Sequence, residues 1–76
     1  MQQRYAQAEE LLRMAVENEP RVGESWWRYA AVYKEQGNDE KVREILEEGK
    51  DQGARWNSND RKVIQSYLEI EPSFFE

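Results

Sequence analysis

Residues 26–49 read WWRYAAVYKEQGNDEKVREILEEG, and the spacing of their apolar residues indicates the fold class. The apolar residues on either side of Gly37 recur three or four positions apart, which is the spacing of one face of an α-helix. They are Trp26, Tyr29, Ala30, Tyr33, Val42, Ile45 and Leu46. Gly37 can end the first helix in the left-handed conformation, and Asn38 or Asp39 can cap the second. The stretch therefore predicts two helices joined by a tight turn.

The same spacing continues on both sides of this unit. Helices are predicted over residues 2–18, 23–36, 39–51 and 58–70, with a tail over residues 71–76. Pro20 and Pro72 end the outer helices, and the run Asn57-Ser58-Asn59-Asp60 supplies caps for the last one. The alternation typical of strands is absent from the sequence. We expect one all-α domain over residues 1–76, built from antiparallel helix–turn–helix repeats.

The composition excludes most catalytic chemistry. The 76 residues include 16 acidic and 11 basic side chains but no His and no Cys, for a net charge of −5. Without these two residue types the chain has no thiolate nucleophile, no imidazole base and no zinc site of Cys or His ligands. The prediction is that the protein is not an enzyme and uses no metal and no cofactor. The acidic balance also argues against direct binding of nucleic acid.

Two sharper chemical interpretations fail on the same sequence. The run from Asn57 to Asp60 is similar to the start of a calcium loop, but Arg61 and Lys62 then stand where a ligand and a glycine are needed. Adjacent acidic pairs such as Glu47-Glu48 diverge on a helix and do not form a catalytic dyad. No signal peptide or apolar membrane-spanning run is present, so a soluble, intracellular protein is expected.

An internal repeat becomes visible when the chain is shifted by 34 residues. The shift superposes Ala8 on Val42, Leu12 on Leu46, Ala15 on Gly49, and Tyr33 on Tyr67. These matches fall on the apolar positions of the predicted helices. Thirty-four residues is the period of the tetratricopeptide repeat, whose first helix begins Trp-x₂-Leu-Gly-x₂-Tyr.

The sequence resembles the tetratricopeptide repeat family at these positions. Trp26-x₂-Tyr29-Ala30-x₂-Tyr33 resembles the first helix of a unit, Gly37 its turn, and Val42, Leu46 and Gly49 its second helix. Upstream, Tyr5, Ala8, Leu12, Ala15 and Pro20 resemble another second helix with its closing proline. The resemblance covers residues 2–56 and then weakens, because Asp60 stands where the next unit should have its Trp.

A related family offers a second interpretation. Trp26, Tyr29 and Tyr33, followed by Val42-Arg43, are similar to the half-a-tetratricopeptide repeat of RNA-processing scaffolds, although Lys34 replaces its usual Glu. Both families imply the same architecture. If each unit consists of helices A and B, the chain reads B–A–B–A, or about two units, whereas about three are normally needed for a stable stack.

The resemblance implies recognition of a protein or peptide. In the family, the first helices of the units line a concave groove in which peptides or partner helices bind. The matching positions here are Glu24, Trp27, Arg28, Ala31, Lys34, Ser58, Arg61, Lys62, Gln65 and Leu68. Residues 21–37 carry a charge of +1 within an otherwise acidic chain. Arg28, Arg61 and Lys62 are predicted to form a small basic strip, unless they belong only to a solvated charged surface.

Trp27 has two possible roles in this groove. An exposed Trp beside Arg28 is a typical binding hot spot. The alternative is that Trp27 packs against the fourth helix or the open end of the stack.

A separate hypothesis is self-association into a homodimer, which uses Tyr5, Leu12, Phe74 and Phe75 at the open ends. In that case Phe74 and Phe75 contact another chain instead of folding back over the last helix.

Overall fold

The computed structural model describes residues 2–75, with side chains from Tyr5 onward. It contains four α-helices: α1 (Gln2–Asn18), α2 (Gly23–Glu35), α3 (Asp39–Asp51) and α4 (Ser58–Tyr67), and then a short 3-10 helix, Pro72–Phe75. Within residues 2–75 there is no strand, and the all-α prediction is confirmed. Met1 and Glu76, which the predicted domain includes, lie outside the described residues.

The turn between α2 and α3 has the predicted chemistry. Gly37 is left-handed at φ 75°, and the N–H of Asn38 reaches back to the carbonyl of Tyr33 at 3.0 Å. The Asn38 side chain then accepts a hydrogen bond from the backbone N–H of Lys41 at 3.2 Å and so caps α3. α2 ends at Glu35, one residue before its predicted end. This turn makes α2 and α3 antiparallel neighbours.

The apolar spacing predicts that α4 continues to residue 70, but in the structure α4 ends at Tyr67. Glu69 adopts the left-handed conformation at φ 58°, and the N–H of Ile70 donates to the carbonyl of Ile64 at 3.3 Å. A continued helix would carry Ile70 about 120° around the axis from Ile64 and away from the core. The reversal at Glu69 instead leaves Ile70 only 5% exposed. Burial of one isoleucine therefore outweighs the unfavourable conformation of Glu69.

α2 is the central helix and packs against α1, α3 and α4. Its Trp26 and Ala30 are buried at the centre of one continuous apolar cluster. The buried members of the cluster are Val16, Trp26, Ala30, Val42, Ile45, Leu46, Ile64, Leu68 and Ile70. The core thus takes residues from all four helices and from the segment after α4.

Trp26 lies directly against Gly49, the small residue of α3. A Cβ atom placed on Gly49 would lie 2.7 Å from the indole ring, closer than side chains pack. The indole N–H donates to the carbonyl of Pro20 at 2.7 Å, which fixes the loop before α2. Gly49 is therefore the space into which the largest core side chain fits.

The two loops at the same end of the stack also touch. The N–H of Arg55, after α3, donates to the carbonyl of Arg21, before α2, at 2.9 Å. A Cβ atom on Gly23 would overlap the Arg55 carbonyl and come within 2.8 Å of the Trp56 ring. Glycine at position 23 lets the start of α2 approach the loop of the following unit.

The segment after α4 folds back and does not extend away from the domain. Phe74 and Phe75 are half-buried, and their ring centroids lie 6.1 and 6.2 Å from that of Trp56. Lys50 Nζ donates to the backbone carbonyl of Phe74 at 2.6 Å. Of the two roles considered for these phenylalanines, the structure has the intramolecular one.

The contact between Trp26 and Gly49 predicts the effect of a methyl group. On an exposed helix face Gly→Ala stabilises by about 1 kcal/mol, but Gly49→Ala would force Trp26 or α3 to move. We expect Gly49→Ala to lower the free energy of unfolding by about 1–3 kcal/mol, as overpacked cores do. Urea denaturation measures the change. Glu48→Ala, on the exposed face of the same helix, is the control and should change stability by less than about 0.5 kcal/mol.

The half-buried phenol of Tyr33 predicts a loss of stability at alkaline pH. Burial raises the pKa of Tyr33 from 10.0 to about 12, with further contributions from Tyr29 and Glu9. The unfolded chain therefore loses this proton at lower pH than the folded chain, and stability should be lost as pH rises from 10.0 to about 12. Thermal denaturation across this range should show a shallower loss for Tyr33→Phe.

Candidate protein-binding surface

The predicted groove residues lie on two matching helix faces. The five positions on α2 are related by the 34-residue shift to four positions on α4 and to Leu68, which follows it, so that Trp27 corresponds to Arg61 and Arg28 to Lys62. α2 and α4 are packed neighbours. We call the surface formed by these two faces the α2/α4 face. Its α2 part lies next to α4, and most of its α4 part is exposed to solvent.

Trp27 joins the two helices. Its indole N–H donates to Oδ1 of Asp60 at 2.9 Å, across 33 residues of sequence. The side chain is half-buried. Trp27 therefore packs against α4, which is the second of the two alternatives drawn from the sequence. Its ring is not exposed in the way that the hot-spot alternative assumes.

Asp60 is the buried acceptor of this contact and is 4% exposed. Its Oδ2 accepts from the N–H of Asn57 at 3.1 Å, while its own N–H donates to Oδ1 of Asn57 at 2.7 Å. This reciprocal pair is a capping box at the start of α4. The Asn57–Asp60 run is thus a helix cap, as the sequence indicates.

Asp60 is also the functional-looking residue that sequence reasoning missed. It occupies the position where the repeat pattern has Trp, and the sequence marks it as a departure from that pattern and as part of the cap run, but not as an acceptor for Trp27. The spacing of Asn57 and Asp60 was a usable signal, because a capping-box acid has a second oxygen available for another donor. In place of a packed Trp, the second unit uses a carboxylate that binds the Trp of the first.

The remaining α2 positions are partly covered. Ala31 is half-buried, and Lys34 Nζ lies 3.4 Å from Asp39 and 3.6 Å from Glu69. The hydrogen bond to Asp39 raises the pKa of Lys34 above its usual 10.5, with Glu69 adding to the effect. Lys34 is therefore held between the turn before α3 and the end of α4.

Arg28 stands at the outer edge of the face. Its guanidinium pairs with Glu24 at 2.6 Å and lies 5.7 Å from the centroid of the Trp27 ring. The Arg28 side chain is still 58% exposed. Arg28 covers one side of Trp27 and remains accessible to a ligand.

The charged residues on the exposed α4 part of the face are both cations. Ser58, Arg61, Lys62 and Gln65 are exposed, and within the described side chains Arg61 and Lys62 have no carboxylate within 4.0 Å. Arg61 instead lies 5.5 Å from the centroid of the Phe75 ring. These side chains give the α4 part of the face a positive charge.

Leu68 departs from the predicted groove set. The shift places it in the row that faces a ligand, but its side chain is 3% exposed and belongs to the core. The reversal at Glu69 folds the chain over this end of α4 and closes the row there. The accessible residues of the α2/α4 face are thus Glu24, Arg28, Ser58, Arg61, Lys62 and Gln65, beside the half-buried Trp27, Ala31 and Lys34.

A separate concavity of 390 Å³ lies between α1 and α3, and no predicted groove residue lines it. Ion pairs within each helix stand at its rim, Arg13 with Glu17 at 3.6 Å and Lys41 with Glu44 at 3.6 Å. Nowhere in the part of the chain that the structure describes do three acidic side chains converge as metal ligands do.

Comparison with known families agrees with this architecture. A family model described as tetratricopeptide repeat matches residues 1–58. The chain belongs to the tetratricopeptide repeat family. The match ends at the first residue of α4, close to where the sequence resemblance weakens. No curated protein and no solved structure matches the chain.

Membership of the tetratricopeptide repeat family gives a general function. Such repeats are non-catalytic modules that generally mediate protein–protein interaction. The family is the first of the two that the sequence indicates. Among helices in residues 2–75, none is both long and apolar enough to cross a membrane.

The hydrogen bond between Trp27 and Asp60 predicts the cost of removing its donor. Trp27→Phe keeps an aromatic ring but leaves Oδ1 of a buried carboxylate without this partner. We expect a loss of about 1–3 kcal/mol in the free energy of unfolding. In a double-mutant cycle with Asp60→Ala, which removes the acceptor, the two losses measured by urea denaturation should be markedly non-additive. Additive losses would mean that the contact contributes nothing to stability.

Proposed function

We propose that this tetratricopeptide repeat chain is an interaction module whose α2/α4 face binds a peptide or a partner helix. The observation that carries the proposal is the pair of exposed cations, Arg61 and Lys62, without a carboxylate partner among the described side chains. They lie on a chain whose net charge is −5. A cluster of cations on an acidic protein favours a ligand that brings acidic groups of its own.

The α2 part of the face would supply the apolar contact. Trp27 and Ala31 are half-buried and leave part of their surface accessible. Arg28 stacks beside the Trp27 ring, and an Arg next to a fixed aromatic ring is a common anchor of protein interfaces. Because Asp60 holds the indole in place, little side-chain freedom is lost when a ligand packs against it.

The chemistry of the expected ligand follows from these two parts. An extended peptide or a helix would place acidic side chains toward Arg61 and Lys62 and a small or apolar side chain toward Trp27. Gln65 adds an exposed amide between the two cations and the end of α4. We rank this function above a homodimer and above a scaffold of the RNA-processing type. Tyr5 and Leu12, which the homodimer hypothesis uses, lie on α1 together with the exposed apolar residues Leu11 and Met14.

Peptide selection followed by charge reversal tests the proposal. Peptides displayed on phage are selected against the wild-type chain, and affinities are measured by calorimetry with Lys62→Glu and with Arg28→Glu. Each reversal should weaken binding by about tenfold or more, equivalent to about 1.4 kcal/mol. A ligand with a Glu→Lys change opposite Lys62 should recover its affinity for Lys62→Glu.

Arg43→Glu is the matched control, since Arg43 is an exposed cation on α3. It changes the net charge equally but lies outside the α2/α4 face, so affinity should change less than about twofold. Equal weakening by Arg43→Glu and Lys62→Glu would reduce the effect to overall charge and contradict the proposed site. Circular dichroism of each variant verifies that the helices are intact.

A further inference from the structure

One aromatic and two cationic side chains lie against the C-terminal segment. We call Lys50, Trp56 and Arg61 the tail site, because these residues contact Phe74 and Phe75. We propose that the tail site is a receptor for acidic peptides that carry two adjacent aromatic residues, and that the chain's own residues 71–75 are its intramolecular occupant. This inference does not rest on the function proposed for the α2/α4 face, although Arg61 borders both surfaces.

The contacts of the tail site have the form of peptide recognition. Phe74 and Phe75 meet each other edge to face at 5.3 Å, and both rings approach Trp56. Lys50 Nζ lies 5.2 Å from the centroid of the Phe74 ring and donates to the Phe74 carbonyl. The site thus contacts two aromatic rings and one backbone carbonyl of its occupant. None of these contacts requires that the occupant be joined to α4.

Charge complementarity identifies the class of occupant. Three of the eight residues from 69 to 76 are Glu, and none is cationic. The receptor side presents two cations, Lys50 and Arg61, each stacked on one phenylalanine ring. A cation over an aromatic ring favours both the ring and nearby acidic groups. The matching ligand is therefore acidic and doubly aromatic.

The occupant is held loosely compared with the core. No residue of the 3-10 helix is fully buried, whereas Ile70, which precedes it, is 5% exposed. Ile70 therefore anchors the chain to the core independently of the two phenylalanines. Removing the rings should empty the tail site without unfolding the domain. The tail can then be exchanged for a peptide supplied by another protein.

The test uses the full-length double variant Phe74→Ala/Phe75→Ala and a fluorescent peptide with the chain's own sequence EIEPSFFE. Fluorescence anisotropy should show binding to the double variant at least about tenfold tighter than to the wild-type chain. The reason is that the attached tail competes at a high effective concentration. The peptide EIEPSAAE should not bind. Adding Lys50→Ala to the double variant should weaken binding about threefold or more, whereas adding Lys62→Ala should not.

Several results would overturn this inference. They are equal affinity of wild type and double variant, absence of peptide binding to a double variant that is helical by circular dichroism, and equal binding of EIEPSAAE. A concentration-dependent dimer that Phe74→Ala/Phe75→Ala abolishes would assign the site to the tail of a second copy and also contradict it. If the double variant is not helical, the single variant Phe75→Ala is compared with wild type in the same way, with the same expected direction. The tail site is distinguished from the α2/α4 face when Lys50→Ala weakens binding of EIEPSFFE and Lys62→Ala does not.

Discussion

The packing of Trp26 against Gly49 is the contact on which the other helices depend. The ring has 2% of its surface exposed, touches the backbone of α3, and donates its N–H to the carbonyl of Pro20. One side chain thus sets the separation of α2 from α3 and the path of the chain between α1 and α2. In a domain of 76 residues, where one core supplies only a few kcal/mol, such a contact carries a large share of the stability.

The two units of the stack have chemically different side chains at the same repeat position. In the first unit Trp26 fills the core, and 34 residues later Asp60 stands at the equivalent place. Asp60 cannot fill that volume, but it closes the α4 cap and accepts the N–H of Trp27. The lost apolar contact is replaced by a hydrogen bond to the neighbouring unit. At this position of the repeat, the side-chain contact therefore changes from apolar packing to a hydrogen bond.

The local signals in the sequence were sufficient for the helices and the central turn. Gly37 with Asn38 and the run from Asn57 to Asp60 act over four residues or fewer, and the structure uses them as local chemistry requires. The end of α4 was different, because it depends on whether Ile70 can reach the core, which periodicity alone does not report. A left-handed Glu carries no sequence mark of the kind that Gly does.

The candidate site was predictable in its positions but not in its exposure. The 34-residue shift identified the residues of both helix faces, and four of them are exposed cations or amides on the surface: Arg28, Arg61, Lys62 and Gln65. Trp27 and Leu68 share the same rows yet are covered by a neighbouring helix and by the reversal after α4. Burial of this kind is set by contacts between segments distant in sequence. The tail site was missed for the same reason, since Lys50, Trp56 and Phe74 meet only in the folded chain.

The central place of α2 has a consequence for how the domain opens. α1 packs chiefly against α2, and the C-terminal segment packs against α3 and α4, so each can separate while the rest stays folded. α2 cannot separate without disrupting its contacts with α1, α3 and α4 together. Local fluctuations should therefore be concentrated at the two ends of the stack, and α2 should open only with global unfolding. The surfaces proposed for recognition lie on both kinds of element: the tail site at a readily opened end, and Arg28 and Trp27 on the helix that opens last.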